Sequence, residues 1–257
     1  MTAVLTHSRL LTGRSLRTLS RQPAYLLFTL VQPMIWLLLF GQLFRRIAEL
    51  PGFGGNYLAY LTPGVVVMTA MMSAGWSGTS IVQDMERGVM DRTLTSPVRR
   101  SALVTAGLTH QALVTIVQSL IMFATGLLAG ARYPGGSVGL LVVLACAVLV
   151  ALVFAGLSNA VALLVHQQEA LIAVSQFLVL PLAFLSSIMI APDLMPAWVR
   201  QAARFNPVDW AAVASREALR ATPDWSIVLD RLALLTALAL LMAWLAARAY
   251  RTHQRSL

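Results

Sequence analysis

Six long apolar stretches, separated by short polar ones, constrain this chain more than any other feature. They run roughly Ala24–Phe44, Leu58–Val82, Ala102–Ala131, Val138–Val165, Leu171–Ala191 and Leu232–Ala247. Crossing a hydrocarbon core of about 30 Å takes about 20 mostly apolar residues in a helix. Lipid offers no partner to backbone N–H and C=O groups, so each stretch is expected to be helical. The last is the shortest, and Arg231 and Arg248 can reach from its ends to water. Only His166, Gln167, Gln168 and Glu169 separate the fourth stretch from the fifth, which demands a tight turn. The expected fold is an all-α membrane protein of six transmembrane helices. An amphipathic interfacial helix precedes them, a charged cytoplasmic helix follows the second, and short extracellular re-entrant helices precede the last.

Composition agrees. The 257 residues are 58% hydrophobic and 11% charged, against about 25% charged in soluble domains, and mean hydropathy is +0.75. A formal net charge of +9 would suggest nucleic acid in a soluble protein. Here arginines flank membrane spans as topology signals and bind lipid headgroups, so membrane lipids are the expected partner and nucleic acid is not. All 19 basic residues are arginine. A phosphate-binding G-x-x-x-x-G-K-[ST] loop needs its lysine, so this chain holds no ATP site of that kind, nor a Schiff-base lysine. Cys146 is the only cysteine. It excludes disulfides and cysteine metal sites within one chain and reads as a small buried hydrophobe. The first apolar run starts only after about 22 residues and is too long for a signal-peptide core, so it reads as a retained span.

Arginines in short flanking segments set orientation. With the N-terminus inside, the cytoplasmic side receives Arg9, Arg14, Arg17 and Arg21, then Arg87, Arg92, Arg99 and Arg100, then Arg248, Arg251 and Arg255. The short outer connections hold Arg45, Arg46 and Arg132. The Pro192–Arg231 segment adds Arg200, Arg204, Arg216, Arg220 and Arg231 outside, which narrows the contrast without reversing it. The expectation is a multi-pass protein of the cell membrane with both termini cytoplasmic. In residues 2–21, at about 100° per residue, Val4, Leu5, Leu11, Leu16 and Leu19 fall on one arc and the four arginines on the opposite one. That is the pattern of an interfacial anchor; a topogenic charge cluster without fixed helix is the alternative.

Pro192–Arg231 is too long for a turn and too apolar for a free loop. Asn206-Pro207-Val208-Asp209 reads as a helix start, with Asn as N-cap, Pro first and Asp in the first turn. Trp198, Phe205, Trp210 and Trp225 suit the headgroup level. Two short helices are expected, about Met195–Arg204 and Pro207–Ala221, dipping into the outer leaflet edge or lying on it. A soluble extracellular cap is the alternative. Residues 1–257 carry no repeat or flexible linker and read as one membrane domain.

From the end of the second stretch into the start of the third runs Gln83–Gly107, QDMERGVMDRTLTSPVRRSALVTAG, with four arginines and three acids. Such a block belongs in water. It is helix-forming to about Leu94, with Asp84/Arg87 and Arg87/Asp91 at pairing distances. Ser96-Pro97 breaks that helix and Ser101 can cap the next span. A short charged helix parallel to the membrane is something a soluble partner can grip; an ordinary solvated loop is the plainer alternative.

The block resembles the region after the second span of type 2 ABC exporter permeases (ABC-2 type), particularly the daunorubicin-resistance-like branch. The matching pieces are Pro63-Gly64, then Asp84, Gly88, Asp91-Arg92 and Ser96-Pro97, with Arg99-Arg100 close behind. Gln32-Pro33 through Trp36 to Phe40-Gly41, and Pro196-Ala197-Trp198 followed by Asn206-Pro207, agree as well. The likeness covers essentially the whole chain in order, and its strength lies in the ordered set.

The resemblance implies a transport subunit without its own ATPase site. No cofactor is expected in this chain; a partner ABC ATP-binding subunit would hold ATP and magnesium, and a second permease copy or a homologous permease would complete a dimer. It implies that residues 83–101 form the coupling loop, with Asp84, Glu86, Arg87, Gly88, Asp91 and Arg92 seated on the ATPase. Residues 1–22 would form the connecting helix and 192–231 the extracellular helices. The path would lie at the dimer interface beside the first, second and fifth spans. Its candidate lining is Gln32, Trp36, Met68, Met72, Trp76, Gln176, Phe177 and Ser187. Met and Trp offer adaptable contacts to bulky amphipathic ligands, while packing against neighbouring helices is the plainer role for each. The implied function is outward movement of an amphipathic drug-like or lipid substrate. Export of a lipid-linked glycan or polysaccharide is the alternative, and a non-ABC channel or scaffold a further one.

Catalysis by this chain is not expected. Gly75-Trp76-Ser77-Gly78-Thr79 misses the last glycine of a nucleophile elbow, and the four histidines are scattered. His110 sits a few residues inside the third stretch and reads as a neutral hydrogen-bonded group. Asn159 with Ser158, and Gln118 with Ser119, are placed to bond across helices.

Overall fold

The computed structural model describes residues 23–46, 56–86, 100–165 and 167–253, and among them every regular element is helical. The elements are α1 (Pro23–Leu43), α2 (Tyr57–Gly75), α3 (Thr79–Glu86), α4 (Arg100–Leu128), α5 (Gly136–Val165) and α6 (Gln168–Phe184). A 3-10 turn (Pro192–Leu194), α7 (Ala197–Ala203), α8 (Pro207–Ala218) and α9 (Trp225–His253) follow. The expected interfacial helix of residues 2–21 and most of the charged block, residues 87–99, lie outside the described residues.

Among the described residues four segments are long and apolar enough to cross a membrane: Tyr57–Gln83, Gly107–Leu128, Gly136–Val165 and Trp225–Arg248. Thr29–Leu43 and Gln168–Phe184 are shorter apolar helices. At 1.5 Å per residue the 17 residues of α6 rise only roughly 25 Å.

α5 is the axle of the bundle, packing against α2, α3, α4, α6, α8 and α9. Its buried residues Val143, Cys146, Ala147, Val150, Ala151 and Phe154 recur at the spacing of one helix face. The core continues through Val65, Val66 and Met71 of α2, Ala211 and Ala212 of α8, and Leu235 and Ala239 of α9. Many of these are small. In lipid, where apolar burial gives no advantage over lipid tails, close backbone approach supplies the attraction. α1 packs on α2 and α4, and α6 on α5, α2 and α3. Both leave broad apolar faces outward, Ile35, Leu39 and Leu43 on α1, Phe177, Leu180 and Phe184 on α6.

Helix boundaries follow local chemistry. Asn56 caps α2, its Oδ1 accepting from Ala59 N at 3.1 Å, and Asn206 caps α8 by accepting from Val208 N at 3.0 Å, with Pro207 at the first position. The two short helices fall within two to three residues of their expected ends. Three boundaries differ from expectation. The second apolar stretch breaks at residues 76–78. The fifth ends as helix at Phe184 instead of Ala191, because the Asn206 side-chain amide takes the carbonyls of Leu182 and Leu185. The last helix starts at Trp225, seven residues before Leu232, because Asp224 caps it: one carboxylate oxygen accepts from Ser226 N at 3.0 Å and Ser226 Oγ at 2.6 Å.

Candidate functional site

A narrow cleft separates α1 from α2. Positions 32, 33 and 36 of α1 and 65, 68, 69 and 72 of α2 each recur at three or four residues, so each set shares a helix face. Gln32, Pro33 and Trp36 form one wall, Val65, Met68, Thr69 and Met72 the other. Four candidates from the sequence, Gln32, Trp36, Met68 and Met72, thus stand together. The other four stand elsewhere. Trp76 is exposed in the turn after α2, and Gln176 and Phe177 lie on α6, where Phe177 is 78% exposed. Ser187 is buried near the start of α2.

From the cleft an aromatic ladder climbs α1. Trp36 meets Phe40 edge-on at 5.5 Å, Phe40 stacks on Phe44 at 5.5 Å, and Phe44 meets Tyr57 at 5.7 Å. Tyr57 stacks on Tyr60 at 6.4 Å. Spacings of this kind favour aromatic pairs beyond their buried area.

The ladder ends in a polar knot. Residues 185–190, between α6 and the 3-10 turn, have left the helix, so their backbone groups need partners from elsewhere. Tyr60 Oη donates to Ser187 O at 2.9 Å and Tyr57 Oη to Met189 O at 3.0 Å. Asp209 accepts from Ser187 N at 2.8 Å. Arg216 of α8 spreads its fork over three acceptors: Nε donates to Tyr60 O (3.1 Å), Nη1 to Ser187 Oγ (3.2 Å) and Nη2 to Ile188 O (2.7 Å). Its guanidinium carbon sits 3.7 Å from the Tyr60 ring centroid, a cation–π contact. Gly64 makes this approach possible. A Cβ there would lie 2.7 Å from Ile188 O and 3.0 Å from Arg216 Nη2.

The other end of α2 is held differently. Gly75, Trp76, Ser77 and Gly78 form the break before α3. Ser158 of α5 donates its hydroxyl to Gly75 O at 2.7 Å and accepts from Gly78 N at 3.0 Å. Ser175 of α6 also donates to Gly75 O, at 2.9 Å, and Ser77 Oγ donates to Asn159 Oδ1 at 3.1 Å. Gly78 is obligatory here, since a Cβ would lie 2.5 Å from Ser158 O. α3 then packs through Val82 against Ala162 and Leu171. Glu86 ends α3 in an exposed position and Asp84 lies within it; Arg87, Gly88, Asp91 and Arg92 lie outside the described residues.

The expected bonding of Ser158 and Asn159 across helices is present. Gln118 bonds Thr29 of α1 at 3.3 Å, and Gln111 reaches Ser73 of α2 at 3.3 Å. His110 Nδ1 is buried without a hydrogen-bond partner, unlike its expected state. Sequence reasoning missed Arg216 and Ser175. Arg216 was one more outer cation in a charge count; Ser175 stood among apolar neighbours with no motif. Among the described residues no group of three His, Cys, Asp or Glu side chains could hold a metal.

Residues 6–219 match the family described as "ABC-2 type transporter". The chain is 30% identical over 232 residues to the "Daunorubicin resistance ABC transporter permease protein DrrB1" of Streptomyces coeruleorubidus, covering 88% of this chain and 78% of that one. It is 29% identical over 194 residues to the "Putative transport permease ycf38" of Cyanophora paradoxa, covering 75% and 67%. It is 21% identical over 205 residues to the "Probable doxorubicin resistance ABC transporter permease protein DrrC" of Mycobacterium tuberculosis (strain CDC 1551 / Oshkosh), covering 80% and 74%. An all-helical bundle with several membrane-length apolar helices, matched along most of its length to ABC permeases, belongs to the ABC-2 type transporter family.

Proposed function

We propose that this chain is the membrane half of an ATP-driven exporter. It is a six-span permease of the cell membrane, with α1 and α6 supplying the fifth and sixth crossings and both termini cytoplasmic. It works as a dimer, with a second copy or a homologous permease, driven by a separate subunit that binds ATP and magnesium. Its cargo is an amphipathic drug-like or lipid molecule moved outward; the drug-resistance names of two relatives favour the drug-like class. The charged segment that begins with Asp84 and Glu86 and continues through Arg87, Gly88, Asp91 and Arg92 rests on the ATPase.

The bond set at Gly75–Gly78 carries this reading. Ser158 and Ser175 join the bend between α2 and α3 to α5 and α6. A push on α3 therefore reaches α2, which walls the cleft. Such a stroke moves cargo when helices have two discrete arrangements that ATP binding can bias. The exposed apolar faces of α1 and α6 supply the surfaces where a second copy closes the path.

Exchanging charge in the coupling segment tests the reading. The double substitution Asp91→Arg with Arg92→Glu should leave membrane insertion intact, while ATP-driven daunorubicin uptake into inverted vesicles, the equivalent of efflux from the cell, falls to the level without ATP. Normal efflux with unchanged ATPase stimulation would overturn the coupling role.

A further inference from the structure

The end of the bundle away from α3 carries a recess of about 770 Å³. Gln42, Leu43, Arg45 and Arg46 line it where α1 ends, and Asn56 and Gly130 line it from the starts and ends of α2 and α4. The Asn56 side chain builds the wall from both ends of its amide. It accepts from Ala59 N and donates to Gly130 O at 3.1 Å, pinning the start of α2 to the end of α4. Arg45, Arg46 and Gln42 are exposed, and the ion pair found among the described residues lies elsewhere, between Arg220 and Glu217. Among the described residues that line it there is no carboxylate.

Two guanidiniums and an amide around a concave space, with no carboxylate among the described residues of its lining, suit an oxyanion held by forked hydrogen bonds. The helix dipole accounts for cations at the end of α1; it does not account for the recess. On the orientation proposed above these arginines lie outside, where topology alone disfavours them. Apolar surface adjoins the charge: Leu43 lines the recess at 66% exposure, Leu39 lies one turn below it, and Leu128, just before Gly130, is 90% exposed. A free inorganic anion would have no use for that surface. An anion carrying acyl chains would.

We infer that this recess is a headgroup site for an anionic phospholipid, with Arg45 and Arg46 on the phosphodiester, Gln42 beside them, and Leu39, Leu43 and Leu128 along the acyl chains. The site lies on the face opposite α3 and needs neither ATP nor cargo. Its test is therefore independent of transport, and failure of either reading leaves the other standing.

The test is native mass spectrometry of the full-length chain released from nanodiscs made of phosphatidylglycerol and phosphatidylcholine in equal parts. Wild type should retain phosphatidylglycerol selectively, and Arg45→Gln with Arg46→Gln should weaken that retention roughly tenfold or more, given two surface cations. Retention of phosphatidylcholine should not change. Arg200→Gln with Arg204→Gln removes the same charge from exposed positions on and just after α7 and should preserve selectivity; an equal loss there would reduce the effect to the general field and overturn the site. Leu39→Ser with Leu43→Ser should weaken phosphatidylglycerol and leave soluble glycerol phosphate without effect as a competitor. Competition by glycerol phosphate as effective as by the lipid would overturn the lipid assignment in favour of a small-anion site. Retention identical in wild type and the Arg45/Arg46 variant would overturn it outright.

Discussion

The two ends of α2 solve the same problem with different chemistry. At each end a chain segment leaves the helix inside a mostly apolar bundle and its backbone groups need partners. Near Tyr57 and Tyr60 the partners are a guanidinium, a carboxylate, a carboxamide and two phenols. At Gly75–Gly78 they are neutral hydroxyls, from Ser158 and Ser175, with the Ser77 hydroxyl bonded to the Asn159 carboxamide beside them. Hydrogen bonds to charged groups are worth roughly twice those between neutral ones, and an abandoned buried charge costs far more than an abandoned hydroxyl. The first end is built to stay together and the second can be remade. α2 thus resembles a lever clamped at one end and hinged at the other, which is what a stroke delivered at α3 requires.

The sharpest way to break that comparison is Arg216→Met. It fills similar space but leaves Tyr60 O, Ser187 Oγ and Ile188 O without their donor. Losing three hydrogen bonds donated by a half-buried cation costs about 3 kcal/mol, which in a chain of this size lowers the unfolding midpoint by roughly 10 °C. Arg216→Lys keeps the charge but loses the fork and should fall between. Thermal unfolding of the purified chain in detergent reads both. A shift in Arg216→Met no larger than that of an exposed arginine such as Arg204→Met would mean the clamp is not held by charge.

The hinge should behave in the opposite sense. Ser158→Ala removes the bonds to Gly75 O and Gly78 N, while Ser175 still serves Gly75 O. The expected cost to stability is only about 1–2 kcal/mol. Efflux per ATP hydrolysed should drop several-fold, because the bend at residues 76–78 no longer moves with α5. Measuring transport and ATPase activity together in vesicles separates this from simple loss of protein. A variant as destabilised as Arg216→Met, yet fully coupled, would invert the assignment of clamp and hinge.

Much of this architecture was legible in the sequence, and the rest was hidden for physical reasons. Asn206-Pro207 announced α8 because a cap and a first-position proline act within three residues. The apolar stretches announced α2, α4 and α5 because length and hydropathy are local sums. The start of α9 was misread for the same cause: Asp224, Asp230 and Arg231 lower hydropathy, yet helix formation depends on caps and propensity, and Asp224 supplies the cap. Arg216 was invisible because its acceptors lie 28 and 156 residues away, and no periodicity reports on such distances. Of the eight lining candidates, the four at helical spacing on α1 and α2 share the cleft. Ser187, a candidate on the fifth stretch, sits in the clamp.

The smallest expected effect lies at the rim of the clamp, where α8 turns into α9. Glu217 accepts from Asp224 N at 3.1 Å and pairs with Arg220 at 2.9 Å, and Asp224 in turn caps α9. The hydroxyl and amide of Ser226 hold the Asp224 carboxyl below its ordinary value of 3.8. A carboxylate with a depressed folded-state pKa contributes stability above its unfolded pKa and loses it as pH falls through the lower folded value. The first turn of α9 should therefore be unaffected at neutral pH and loosen only in acid below 3.8. Asp224→Ala should exchange backbone hydrogens of residues 225–228 faster than wild type at pH 7, with the two converging as pH drops below that range. Because this carboxylate is exposed and its bonds are local, the global midpoint should hardly move. A global shift approaching that of Arg216→Met would show that the charged clamp extends through Glu217 into the last helix, and that the comparison between the two ends of α2 had drawn the clamp too small.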